Sequence, residues 1–260
     1  MFPLRDENPT LRASVVTGTL IAVNVLVWIF VQGLGARGPL LRSICQFGLI
    51  PGELLRTVPP DTAVPIAEGM VCVITDTPNW WTLLTSMFLH GGWFHLIGNM
   101  WFLAVFGDNV EDALGRFRFL VFYLLCGLAA AAAQILTNPR SPVPMVGASG
   151  AISGVMGAYA LLYPRAPVHL LVLFGFYPLR YVVPAVLMLG YWFLLQFLGG
   201  LLAPVLGSGG IAFWAHVGGF VAGLILAPLF CDHSRVAACR QRRGTMRRVF
   251  LPRRDWSPYI

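Results

Sequence analysis

Lysine is absent from this 260-residue chain, and charge of either sign is scarce: 11% of residues are charged while 57% are hydrophobic. A soluble globule of this size needs more polar side chains to cover its surface. With a mean hydropathy of +0.72, the shortage excludes that class and leaves a polytopic membrane protein. All 18 basic residues are arginine, which points to a GC-rich, bacterial coding sequence. The five cysteines, at 45, 72, 126, 231 and 239, form no Cys-x-x-Cys pair, so the common zinc frameworks are excluded and no metal or cofactor is expected.

Six apolar runs approach the ~20 helical residues that cross a hydrocarbon core: Ser14–Gly33, Phe94–Gly107, Phe117–Leu136, Ser149–Tyr163, Tyr181–Leu202 and Ile211–Phe230. They predict an all-α fold, a bundle of six transmembrane helices over 14–230, preceded by a short segment at 1–13 and followed by a basic tail at 231–260. The first run exceeds the ~7–15 residues of a signal-peptide core and has no clear cleavage site after it, so it is expected to stay as an anchor. An even number of spans puts both termini on one side. Arg5, Arg12, Arg116, Arg118, Arg165, Arg180 and the eight arginines after Phe230 fall on that side, which makes it cytoplasmic, in a bacterial inner membrane.

The net charge of +7 comes mostly from the tail, where eight arginines face only Asp232 and Asp255. A basic stretch directly after a span fixes topology or touches anionic lipid, so lipid is the expected partner and nucleic acid is not. Between the first two spans lies an outer loop at about 34–81, too rich in proline (Pro51, Pro59, Pro60, Pro65, Pro78) to be one helix. Its apolar residues, among them Phe47, Leu54, Trp80 and Trp81, suit partial insertion at the membrane interface. Cys45 and Cys72 both lie in this segment, where disulfides persist, and are expected to pair.

Polar groups inside the spans carry the chemistry, because an ionisable side chain in lipid is costly and usually faces a working cavity. Ser149 opens the fourth span in Gly147-Ala148-Ser149-Gly150, and His216 lies at comparable depth in Ala215-His216-Val217-Gly218-Gly219 of the sixth. From Ser149 to Pro164 is about 22 Å of helix at 1.5 Å per residue, short of an ~30 Å core, so Ser149 should sit in a water-accessible depression. A serine at a helix start is most often only an N-cap. Small residues at a spacing of four, Gly150 and Gly154 on one span and Ala215, Gly219 and Gly223 on the other, allow the two backbones to approach and bring Ser149 to His216. No acid can reach that histidine, since Asp108, Glu111 and Asp112 close the far end of the second span; the pair must act as a dyad. His95 and Asn99, four apart on one face of the second span, are candidates for stabilising an oxyanion.

This ordered set resembles the signature of rhomboid intramembrane serine proteases: His95 and Asn99, Gly147-Ala148-Ser149-Gly150, and Ala215-His216-Val217-Gly218-Gly219 on spans two, four and six. The resemblance implies Ser149 as nucleophile, His216 as general base and acid, His95 and Asn99 at the oxyanion, and cleavage of single-span membrane proteins near the outer boundary of their transmembrane segments. Gly207-Ser208-Gly209-Gly210 is flexible enough for a lid. Two positions depart from the pattern. Trp81 is followed by Thr82 where many relatives have arginine, and Ser153 stands where some place an aromatic, leaving open what packs beneath His216. His90 is expected to hold the outer loop. The alternatives are a catalytically inactive relative that binds membrane helices, which would lack the serine or the histidine, and a small-solute transporter, which should show internal repeats.

Overall fold

The computed structural model describes residues 2–67, 70–174, 177–206 and 210–250. Helices dominate: α1 (Val15–Phe30), α2 (Arg37–Phe47), α3 (Pro51–Leu54), α4 (Thr82–Thr85), α5 (Trp93–Leu114), α6 (Arg116–Thr137), α7 (Ser149–Leu162), α8 (Ala185–Leu206), α9 (Phe213–Phe230) and α10 (His233–Phe250). Of these, α6, α8 and α9 are long and apolar enough to cross a membrane, while α1 and α7 are shorter apolar helices. Phe30, Phe94, Leu136, Val205 and Leu229 are each more than three-quarters exposed. A soluble protein would not leave such a belt to water, and here it is the face offered to lipid. The chain is a multi-pass integral membrane protein.

α7 is the centre of the bundle, packed by α5, α6, α8 and α9. From Gly150 to Leu162 only Leu161 is exposed, as expected of a helix that is apolar or small on every side. Glycine sets the approach to α9. A Cβ on Gly219 would lie 2.0 Å from the Gly150 carbonyl oxygen, one on Gly223 2.0 Å from that of Gly154, and one on Gly157 2.3 Å from that of Phe220. The facing small-residue stripes therefore pack backbone on backbone.

Two small sheets join the helices, outside the helical spans. In the outer loop β2 (Ala63–Ala67) pairs antiparallel with β3 (Met70–Val73), and the Cys45–Cys72 disulfide ties that hairpin to α2. At the opposite face β1 (Phe2–Asp6), β4 (Pro167–Phe174) and β5 (Tyr177–Pro184) form an antiparallel sheet in the order β1-β4-β5. The apolar run expected to begin the fifth span at Tyr181 is thus strand to Pro184, and the helix starts at Ala185. Hydropathy cannot separate the two states, but Val182 and Val183 favour a strand, and Pro184 stands where the change occurs. His169 on β4 bonds Glu7 at 2.8 Å, just beyond β1. Arg240 on α10 donates to the Leu162 carbonyl at 2.6 Å, and Arg242 donates to that of Thr10 at 3.0 Å. The N-terminal strand and α10 therefore share the face at the C-terminal end of α7. Residues 251–260 of the basic tail lie outside the described residues.

The helix expected as the second span, α5, runs two turns beyond Gly107 to Leu114, and acids in that extension hold partners on the N-terminal segment. Glu111 accepts from the Val16 and Thr17 backbone N–H groups at 3.0 and 2.7 Å and from the Thr17 hydroxyl at 2.8 Å, capping α1 from a neighbouring helix. Asp112 accepts from the Leu11 N–H at 2.6 Å. Glu111→Ala should strand those buried donors and lower stability by about 2–3 kcal/mol in a denaturant titration.

Asp6 accepts a hydrogen bond from the Tyr159 hydroxyl. Burial pushes its carboxyl up to about 7; the Tyr159 bond opposes the shift and the Asp108 carboxyl adds to it. The folded pKa lies above the unfolded one, so between about pH 4 and 7 the folded chain holds a proton that the unfolded chain has lost. Docking of β1 should weaken as pH rises through that window. Thermal midpoints should fall across it, with a shallower slope in Asp6→Asn.

Candidate active site

Ser149 and His216 stand at the end of the α7–α9 interface opposite the face that carries β1 and α10. His216 Nε2 lies 2.8 Å from Ser149 Oγ. Both line a cavity of about 730 Å³, together with His95, Trp192 and Gln196. Ser149 is the first residue of α7, so its backbone N–H and those of the next residues are unpaired within the helix. Ser153, one turn on, donates its hydroxyl back to the Ser149 carbonyl at 2.6 Å and leaves the space beneath His216 to another residue.

That residue is Trp192 on α8, whose ring centroid lies 5.7 Å from that of His216. One turn further, Gln196 Oε1 lies 2.8 Å from His216 Nδ1. An amide oxygen only accepts, so this contact fits the tautomer with its proton on Nδ1, in which Nε2 offers its lone pair to the Ser149 hydroxyl. This is the tautomer that can take a proton from serine. Sequence reasoning found Ser149 and His216 and missed Gln196; the signal was there as the one amide side chain in the otherwise apolar α8.

His95 is set by the loop before α5. The Gly91 N–H donates to His95 Nδ1 at 3.2 Å, which leaves Nε2 protonated and free to donate. That nitrogen lies beside Gly147: a Cβ there would be 2.8 Å from His95 Nε2 and 3.5 Å from Ser149 Oγ. Gly147 also has φ +129°, a backbone conformation that favours glycine. His90 is fully buried, stacks edge-on against His95 at 5.2 Å, and is clamped through its backbone by Gln32, whose amide donates to the His90 carbonyl and accepts from its N–H, both at 2.8 Å. Asn99 is not among the cavity-lining residues; it is buried one turn deeper on α5, its Nδ2 bonded to the His95 carbonyl at 2.8 Å. Three of the four expected site residues therefore meet, and the fourth stands behind them. Residues 207–209, expected as part of a lid, lie outside the described residues.

A serine hydroxyl against an imidazole nitrogen, a second, neutral imidazole offering its Nε2–H beside them and free helix N–H groups form an arrangement suited to holding and attacking a carbonyl. That defines the class, a multi-pass membrane protein with a hydrolase-type site between helices. Residues 77–233 match the Rhomboid domain family. Over 83 residues the chain is 39% identical to the putative rhomboid protease YdcA of Bacillus subtilis, covering 32% of this chain and 41% of that protein. It is 45% identical over 84 residues to the rhomboid protease GluP of the same organism, covering 32% and 16%. A match of 39% over 85 residues to rhomboid-like protein 11, chloroplastic, of Arabidopsis thaliana covers 33% and 30%. The matched stretches span less than half of each relative. The chain belongs to the rhomboid family of intramembrane proteases.

Proposed function

We propose that this protein is an active serine endopeptidase that cuts single-span membrane proteins within or near their transmembrane segments, using Ser149 and His216. The observation that carries this reading is the 2.8 Å contact between Ser149 Oγ and His216 Nε2 at the rim of a cavity inside the bundle. The substrate helix unwinds locally, because a helical peptide bond is internally hydrogen-bonded, and small or helix-breaking residues at the cut site ease this. Ser149 Oγ attacks the carbonyl as its proton passes to His216 Nε2. The oxyanion is held by His95 Nε2–H and the Ser149 backbone N–H, with Asn99 able to join if its side chain turns outward. His216 returns the proton to the leaving amine, and water, activated by the same nitrogen, releases the acyl group. Both termini are cytoplasmic in a bacterial cell membrane, so the cut falls near the outer boundary, and lipid and the substrate segment are the partners.

Reconstitution in liposomes with a labelled single-span substrate tests this. A fragment whose new terminus maps near the outer boundary is expected without added metal. A folded protein that cuts nothing across a substrate panel would instead support the inactive helix-binding alternative.

A further inference from the structure

We propose that α8 supplies the third member of the active site: Gln196 is the positioning residue for His216, and Trp192 holds the face of the same ring. This rests on the protease reading above. A neutral imidazole has two tautomers, and only the one protonated at Nδ1 leaves Nε2 able to receive the serine proton. Gln196 Oε1, at 2.8 Å from Nδ1, selects that tautomer. Trp192, four residues earlier on the same helix face, limits rotation of the ring, the role left vacant where Ser153 stands.

The seat of Gln196 is itself fixed. A Cβ on Gly199 would lie 2.5 Å from the Phe213 ring, and one on Gly200 2.9 Å from the Trp214 ring, so α8 rests directly on the start of α9. Phe197 meets Trp214 edge-on at 5.9 Å. The helix that carries the amide is thus indexed against the helix that carries the histidine.

An amide differs from the carboxylate of a triad in one respect that can be measured. It orients the ring without adding a negative charge, which in lipid would be costly before the histidine is protonated. As the Ser149 proton arrives at Nε2 the ring becomes a cation and the oxygen of the attacked carbonyl an anion. The Nδ1 proton stays in its bond to Gln196 throughout, and the Nε2 proton leaves with the amine. No proton passes to Gln196.

Wild-type, Gln196→Leu, Gln196→Glu and Ser149→Ala proteins, each checked for folding by thermal melting, are compared in liposomes on one single-span substrate across pH. Gln196→Leu should lower kcat by about 10- to 100-fold with KM within about twofold. Gln196→Glu should keep kcat within about tenfold of wild type and move the acidic limb of the kcat/KM profile upward by about one pH unit, because a carboxylate favours the imidazolium. Wild-type kcat in a folded Gln196→Leu, or an unmoved acidic limb in Gln196→Glu, would overturn the assignment; should the leucine variant fail to fold, the limb in Gln196→Glu decides alone. Independently of cleavage, ¹⁵N spectra of ring-labelled histidine should show His216 protonated at Nδ1 and bare at Nε2, and the opposite tautomer would overturn the role. Ser149→Ala cleaving as fast as wild type would sink the protease reading and leave the tautomer result standing.

Discussion

On the proposed mechanism, removing the Ser149 hydroxyl or the His216 ring should lower kcat by at least about 10⁴-fold, and removing both should cost no more than removing either. The reason is that, in this reading, the two side chains would act as one nucleophile. Serine alone is too weak a base-free nucleophile to attack a peptide carbonyl at neutral pH, and histidine alone has nothing to deprotonate. Their effects therefore cannot add. Single-turnover cleavage by Ser149→Ala, His216→Ala and the double variant checks it, with substrate binding measured separately so that lost chemistry is distinguished from lost affinity. Additive losses in the double variant would mean that the 2.8 Å contact is not the working unit.

The second large effect is expected one turn from the reacting histidine, from a single methyl group. In Gly219→Ala the new Cβ would arrive 2.0 Å from the Gly150 carbonyl oxygen, an approach that backbone atoms cannot accommodate without moving α7 away from α9. Overpacking of this kind costs about 1–3 kcal/mol. Activity should fall as well, by about 100-fold, because a displacement near 1 Å is enough to spoil attack geometry. Gly190→Ala on α8 is the control, since nothing lies within 4 Å of a Cβ there. Equal kcat and equal thermal midpoints for the two variants would show that close glycine packing does not hold Ser149 to His216.

These expectations explain why so much of the site was legible in the sequence. Lipid permits few polar side chains, so Ser149, His216, His95 and Asn99 stand out, and the fourfold spacing of Gly150, Gly154, Gly219 and Gly223 says which helices meet. The Cys45–Cys72 pairing followed from both residues falling in one outer segment, and the structure joins them. Less was visible where the same physics is silent. A lone glutamine in an apolar span has no periodic partner to indicate its role, so Gln196 read as background until α8 was seen against His216. Asn99 shares a face with His95, but spacing does not tell which of the two reaches the cavity. Hydropathy also treated Tyr181–Pro184 as helix, because valine-rich strand and buried helix have the same composition.

The pairing of α7 with α9 also governs when the proposed site can form. Ser149 and His216 are 67 residues apart, a gap that takes about 3–13 s to translate at ~5–20 residues per second. During that interval Ser149 would be in place without His216, beside an unfilled glycine face on α7. Gly219 and Gly223 close that face in the same movement that delivers His216. On the proposed mechanism a nascent chain would thus be inert toward its neighbours until its last core helix is in place, and a chain truncated before α9 is expected to lack activity.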